Sequence, residues 1–185
     1  MRLSLNKGFT LIELLVVIAI IGVLTTVLTM NFNKARQAAR DDARMAGLKE
    51  LQLAIELYKS QYGKYPDRGC VGASGATTWS GPGPYPASNG ANNTDCADWI
   101  IGLVPDFIEE LPTDPNQEFD NNMGYLYATN GDSYKVMVYR SVETKRVEDY
   151  DNEFARCPKD FGSSWCGVVP QSDAYAVYSV GAEDW

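Results

Sequence analysis

The side chains that could do chemistry in this 185-residue chain are four cysteines and two runs of carboxylates; histidine is absent. Without histidine there is no Ser-His-Asp or Cys-His catalysis, no histidine-bound zinc and no histidine pH switch. Cys70 and Cys96 bracket one turn-rich stretch, and Cys157 and Cys166 bracket another, PKDFGSSW. Four cysteines allow three pairings, and local loop closure favours Cys70–Cys96 with Cys157–Cys166 in an oxidising compartment. Zinc is the rival use, but neither pair has CxxC spacing. The stretch DPNQEFDNN sets oxygen ligands at alternate positions, Asp114, Asn116, Glu118, Asp120 and Asn122. That spacing could hold calcium. It lacks the glycine and terminal glutamate of an EF-hand loop, so a solvated acidic loop is the plainer alternative. The run EDYDNE at 148–153 is solvated charge by the same reasoning. Carboxylates are plentiful enough for glycoside cleavage, yet nothing sets any two at a working separation. Trp79, Trp99, Trp165 and Trp185 could stack on a sugar or a partner; packing is the commoner use of tryptophan.

The elements that position these groups begin with an apolar run. Residues 1–8, MRLSLNKG, are polar and carry Arg2 and Lys7; residues 9–30, FTLIELLVVIAIIGVLTTVLTM, hold a single charge, Glu13. About 20 such residues cross a bilayer as a helix. The basic leader favours a cytoplasmic N-terminus, although Lys34, Arg36, Arg40 and Arg44 follow the span and oppose that bias. A cleaved secretory signal has a shorter apolar region and an A-x-A site, and none ends this run. A plain signal anchor explains the run but not a carboxylate five residues into it.

Residues 7–14, KGFTLIEL, resemble the N-terminal signal of type IV pilins and of the pseudopilins of type II secretion, and the likeness extends through the helix to about Pro66. The resemblance implies cleavage by a prepilin peptidase between Gly8 and Phe9, N-methylation of Phe9, and retention of the apolar run. It also implies that Glu13 meets the Phe9 amine of a neighbouring subunit during assembly. The motif has its own physical sense. Glycine at 8 lets a protease approach the backbone. A carboxylate near the start of a helix meets the positive end of its dipole. Many pilins carry a proline near the far end of the apolar run; this chain has none there, and Gly22 is the one weak helix former in the span.

Residues 31–62 continue the helix, with Leu48, Leu51, Ile55, Tyr58 and Tyr62 along one side. Ala35, Ala38, Ala39 and Ala43 carry a small-residue face toward the span. No proline precedes Pro66, so one helix can run from about Phe9 to Tyr62, roughly 80 Å, before Gly63 and Pro66 stop it. A Gly-, Ser-, Asn- and Pro-rich loop follows at about 67–96. GYLYAT, NGD and SYKVMVYR predict a β-hairpin turning at Asn130-Gly131, and Ala174 to Val180 a third strand. Tyr125, Tyr127, Tyr134, Val136, Val138, Tyr175, Val177 and Ser179 alternate along these strands, predicting one face that covers the helix stripe. LVPDFIEELPTDP at 103–115 and YAVYSVGAED near the end resemble the major pseudopilin, a group in which calcium occurs.

The expected architecture is α+β: a leader at 1–8, a transmembrane and filament-core helix at 9–30, its amphipathic continuation at 31–62, and an extracytoplasmic domain at 63–185. Twenty-four acidic against sixteen basic residues, net −8, argue against a nucleic-acid surface. The resemblance implies a non-enzymatic filament subunit of a surface pilus or of a secretion pseudopilus. It implies as partners copies of itself, other pilins or pseudopilins, the prepilin peptidase, an inner-membrane platform and its ATPase. It places the protein in the inner or cytoplasmic membrane before assembly and outside it afterwards. No cofactor is required, with calcium the one candidate. The alternative is an anchored ligand-binding or hydrolytic domain that does not polymerise.

Overall fold

The computed structural model describes residues 9–69, 79–82, 98–116, 124–144, 152–158, 174–183 and 185. A helix, α1, runs unbroken from Leu11 to Tyr62. Among the described residues three strands follow: β1 (Gly124–Thr129), β2 (Tyr134–Tyr139) and β3 (Ala174–Tyr178). They form one antiparallel sheet in the order β1-β2-β3, with Tyr127 opposite Val136 and Val136 opposite Val177. The architecture is α+β, as expected. The chain divides into two compact units, Met1–Ala38 and Ala39–Trp185.

In Met1–Ala38 every described side chain from 9 to 36 is exposed. The large aliphatic residues from Leu11 to Leu24 keep 48–83% of their surface exposed. An apolar surface of that extent marks a membrane or protein contact, not a solvated stalk. The helix is long and apolar enough to cross a membrane. Two of its hydroxyls bond within it: Thr25 Oγ1 donates to Ile21 O at 2.7 Å and Thr26 Oγ1 to Gly22 O at 2.9 Å. Hydroxyls bonded back to the preceding turn are the state such residues need in hydrocarbon. The helix passes through Gly22 without a break.

In Ala39–Trp185 the helix has one buried side. Leu48, Leu51, Ala54 and Ile55 pack against Tyr125, Tyr127, Tyr134, Val136, Val138, Tyr175 and Val177. These are the inward residues that strand alternation predicted. Trp99, Ile100, Leu103 and Ile108 of the connector complete the core. The lower stripe departs from expectation: Tyr58 is half-buried and Tyr62 is exposed. Both rings instead lie by Phe107, 5.5 and 6.1 Å away between centroids. Gly63, at φ 77°, ends the helix in the left-handed region, its N–H donating to Lys59 O at 2.8 Å.

Backbone contacts reach both outer sheet edges. Ser80 exchanges two hydrogen bonds with Tyr127, and Ala176 N–H donates to Phe154 O. The hairpin loop is longer than a two-residue turn: Thr129 pairs with Tyr134, leaving 130–133 between them. The Asn130 side chain explains this, since its Oδ1 accepts from the N–H of Asp132 and of Ser133 at 3.0 and 2.8 Å. The ends of the long loop are held by an Arg68–Ile100 bridge and a Gly69 N–H to Trp99 O bond of 3.1 Å. A Cβ on Gly69 would lie 1.6 Å from Asp98 O, so only glycine fits there.

Candidate functional site

The start of α1 is built by Thr10 and Glu13. Thr10 N–H donates to Glu13 Oε2 at 2.8 Å, and Glu13 N–H donates back to Thr10 Oγ1 at 3.3 Å. The Thr10 hydroxyl also donates to Glu13 Oε2, at 2.8 Å. This is a capping box, T-x-x-E, in which two orphan helix donors are satisfied reciprocally. The bonds use the Thr10 amide, not the Phe9 amine, so a cut before Phe9 leaves them intact. One Glu13 oxygen is thereby committed to its own chain. Phe9 stands one residue ahead of the cap and is exposed; Gly8 lies outside the described residues. Sequence reasoning placed Glu13 by the helix dipole and missed Thr10, although T-x-x-E ahead of an apolar run is legible at 10–13.

A second polar constellation lies inside Ala39–Trp185 and was not anticipated. Arg44 is fully buried on α1. Its Nε donates to Asp114 Oδ2 at 2.8 Å and its Nη2 to Asp114 Oδ1 at 3.0 Å, a bidentate fork. Its Nη1 donates to Asp41 Oδ1 at 2.7 Å and to Glu143 Oε1 at 3.0 Å. Arg40 forks onto Glu143, with Nε to Oε1 at 2.7 Å and Nη2 to Oε2 at 2.5 Å. Asp41 also accepts from Glu143 N–H, from Thr144 N–H at 2.7 Å, and from the Thr144 hydroxyl. Two cations and three carboxylates therefore join the helix, the connector at 103–116 and the strand-exit segment 141–144. Hydrogen bonds from Arg40 hold the Glu143 carboxyl down at about 2; burial opposes this and Arg44 adds to it. For Arg44 burial is the largest influence and favours the neutral form. Asp114, Glu143 and Asp41 together outweigh it, so the guanidinium stays charged.

Of the calcium candidates, Asp114 is buried and engaged through both oxygens by Arg44. Asn116 donates its N–H to Asp114 Oδ1 and its side-chain Nδ2 to Glu143 Oε1. Glu118, Asp120 and Asn122 lie outside the described residues. Among the described residues no three His, Cys, Asp or Glu side chains are grouped to hold a metal. Cys157 is fully buried and disulfide-bonded. Cys70, Cys96 and Cys166 lie outside the described residues, and the preferred pairing with them. Trp99 is core, its ring 6.1 Å from that of Tyr125.

Comparison with known proteins meets the same end of the chain. Residues 3–29 match the family described as the prokaryotic N-terminal methylation motif. The type IV major pilin protein PilA of Myxococcus xanthus is 39% identical over 62 residues, 34% of this chain and 28% of that protein. The type IV wide pilus major component of Thermus thermophilus is 46% identical over 59 residues, 32% of this chain and 45% of that one. The type II secretion system core protein G of Pectobacterium carotovorum is 33% identical over 61 residues, 33% of this chain and 39% of that one. The chain spans less than half the length of each of these relatives. No solved structure matches it. This chain carries the N-terminal methylation motif, and over about a third of its length it is similar to type IV pilins and to the core protein G of type II secretion.

Proposed function

We propose that the protein is a structural, non-enzymatic subunit of a type IV pilus-like filament, a pilin or pseudopilin that polymerises through the first half of α1. The observation that carries this reading is the exposed aliphatic surface from Leu11 to Leu24, headed by one carboxylate at Glu13. That surface must be covered, first by lipid and then by identical helices. The methylation motif supports cleavage between Gly8 and Phe9 and methylation of the new Phe9 amine. In this reading Glu13, bonded to Thr10 in the first turn, receives the Phe9 amine of a neighbouring subunit. A buried carboxylate in hydrocarbon needs such a partner.

The partners of this reading are further copies of the chain, other pilins or pseudopilins, the prepilin peptidase, and a membrane platform with its ATPase. The protein begins as a single-pass protein of the inner or cytoplasmic membrane and ends in an extracytoplasmic filament. Glu13→Ala tests it: the variant is cut normally but yields at least tenfold less sheared filament. Equal filament yield refutes the role given to Glu13. An uncut chain in cells that hold the peptidase refutes the processing.

A further inference from the structure

Four basic side chains follow the apolar run, and the structure divides them into two pairs. Arg40 and Arg44 are used within Ala39–Trp185, on Glu143, Asp41 and Asp114. Lys34 and Arg36 belong to Met1–Ala38, are exposed, and form no ion pair among the described residues. Nor could the helix supply one. Three and four residues from Lys34 stand Met30, Asn31, Gln37 and Ala38; from Arg36 they are Phe32, Asn33, Ala39 and Arg40. Arg36 and Arg40, spaced i and i+4, repel each other. Two cations beyond an apolar span also weaken the charge asymmetry that orients it.

Depth and direction suggest that use. Residues 11–30 at 1.5 Å each cover about 30 Å, the thickness of the hydrocarbon layer. Lys34 and Arg36 then fall about 6–9 Å further on, at headgroup level, within reach for long cationic side chains. Two residues apart on a helix, Lys34 and Arg36 point about 160° apart. A protein docking on one side would meet one of them; a lipid layer surrounds both.

We propose that residues 31–36 form a headgroup collar in which Lys34 and Arg36 bind the phosphates of anionic phospholipid around the helix. This rests on the reading of residues 9–30 as a membrane span. The collar acts on the subunit before assembly, and each subunit leaving the bilayer for a filament must release it.

The test uses the full chain in nanodiscs of phosphatidylcholine with a minority of phosphatidylglycerol. Spin-labelled versions of the two lipids report which one the helix retains. The wild type prefers phosphatidylglycerol, less so at high ionic strength. Each of Lys34→Gln and Arg36→Gln lowers the preference about fivefold, and the double variant brings it close to unity. Lys49→Gln, on the other unit, leaves it unchanged. Equal retention of both lipids by the wild type overturns the collar, as does an undiminished preference in the double variant. Unaltered lipid selectivity with loss of filaments in the double variant also overturns it, and assigns the cations to the acidic surface of a second copy. Chain that fails to enter the discs contradicts the span itself, which separates the two failures.

Discussion

Replacing Arg44 with alanine is the sharpest perturbation of the globular unit. The guanidinium is fully buried and makes four hydrogen bonds to three carboxylates. Its loss removes both fork bonds from Asp114, which is 4% exposed, and one bond from Asp41, which is fully buried. Asp41 keeps the Glu143 and Thr144 amides, so the larger penalty falls on Asp114. Breaking a buried pair from one side costs about 3–5 kcal/mol, because a desolvated charge is left behind. For a unit of this size each kcal/mol lowers the melting temperature by about 3–4 °C, giving a fall of about 10–20 °C. The assay is near-ultraviolet circular dichroism of the full chain in detergent during heating; Trp99 and the core tyrosines report on packing. Arg44→Lys keeps the charge but not the fork and is expected to lose about half as much. Arg36→Ala, at an exposed cation that forms no ion pair among the described residues, should change stability by less than about 0.5 kcal/mol. Equal melting temperatures for the Arg44 and Arg36 alanine variants would refute the energetic role of the cluster.

The Glu143 carboxyl, held near 2 against an ordinary 4.5, contributes stability that is complete above about pH 4.5 and lost as pH falls toward 2. The contribution is about 3 kcal/mol, and Glu143→Gln should flatten that part of the pH–stability curve; an unchanged curve contradicts the assignment. Thr10→Val removes the cap without changing side-chain shape, and amides 11–13 should exchange hydrogen faster while those beyond residue 20 do not. Gly69→Ala drives a Cβ into Asp98 O; a loss of about 1–3 kcal/mol and faster proteolysis between 70 and 97 are expected. Peptide mapping without reductant should recover Cys70–Cys96 and Cys157–Cys166, and a crossed pairing would overturn the local-loop assignment.

The parts of the fold that were legible in the sequence rest on short-range periodicity. Leu48, Leu51 and Ile55 at helical spacing face the core, and Tyr125, Tyr127, Tyr134, Val136, Val138, Tyr175 and Val177 at strand spacing meet them. Each signal depends only on near neighbours in the chain. The stripe failed at Tyr62, because Phe107, 45 residues further on, offers its ring at the surface rather than a buried slot. The Arg44 cluster was illegible for the same reason. Its partners Asp114 and Glu143 lie 70 and 99 residues away, and only Asp41, three residues back, is a local one. Asp114 was drawn toward calcium because alternate oxygens were visible while the buried guanidinium opposite was not. The cap is a different case: Thr10 and Glu13 stand three apart, and their pairing could have been read directly.

The central claim, that residues 9–30 are retained and polymerise, is tested most directly by shearing cells and determining the N-terminus and intact mass of this chain in the recovered fibres. The account predicts fibres of a chain that begins at an N-methylated Phe9 and lacks residues 1–8. Recovery of the chain only as uncut, unassembled membrane protein would contradict it.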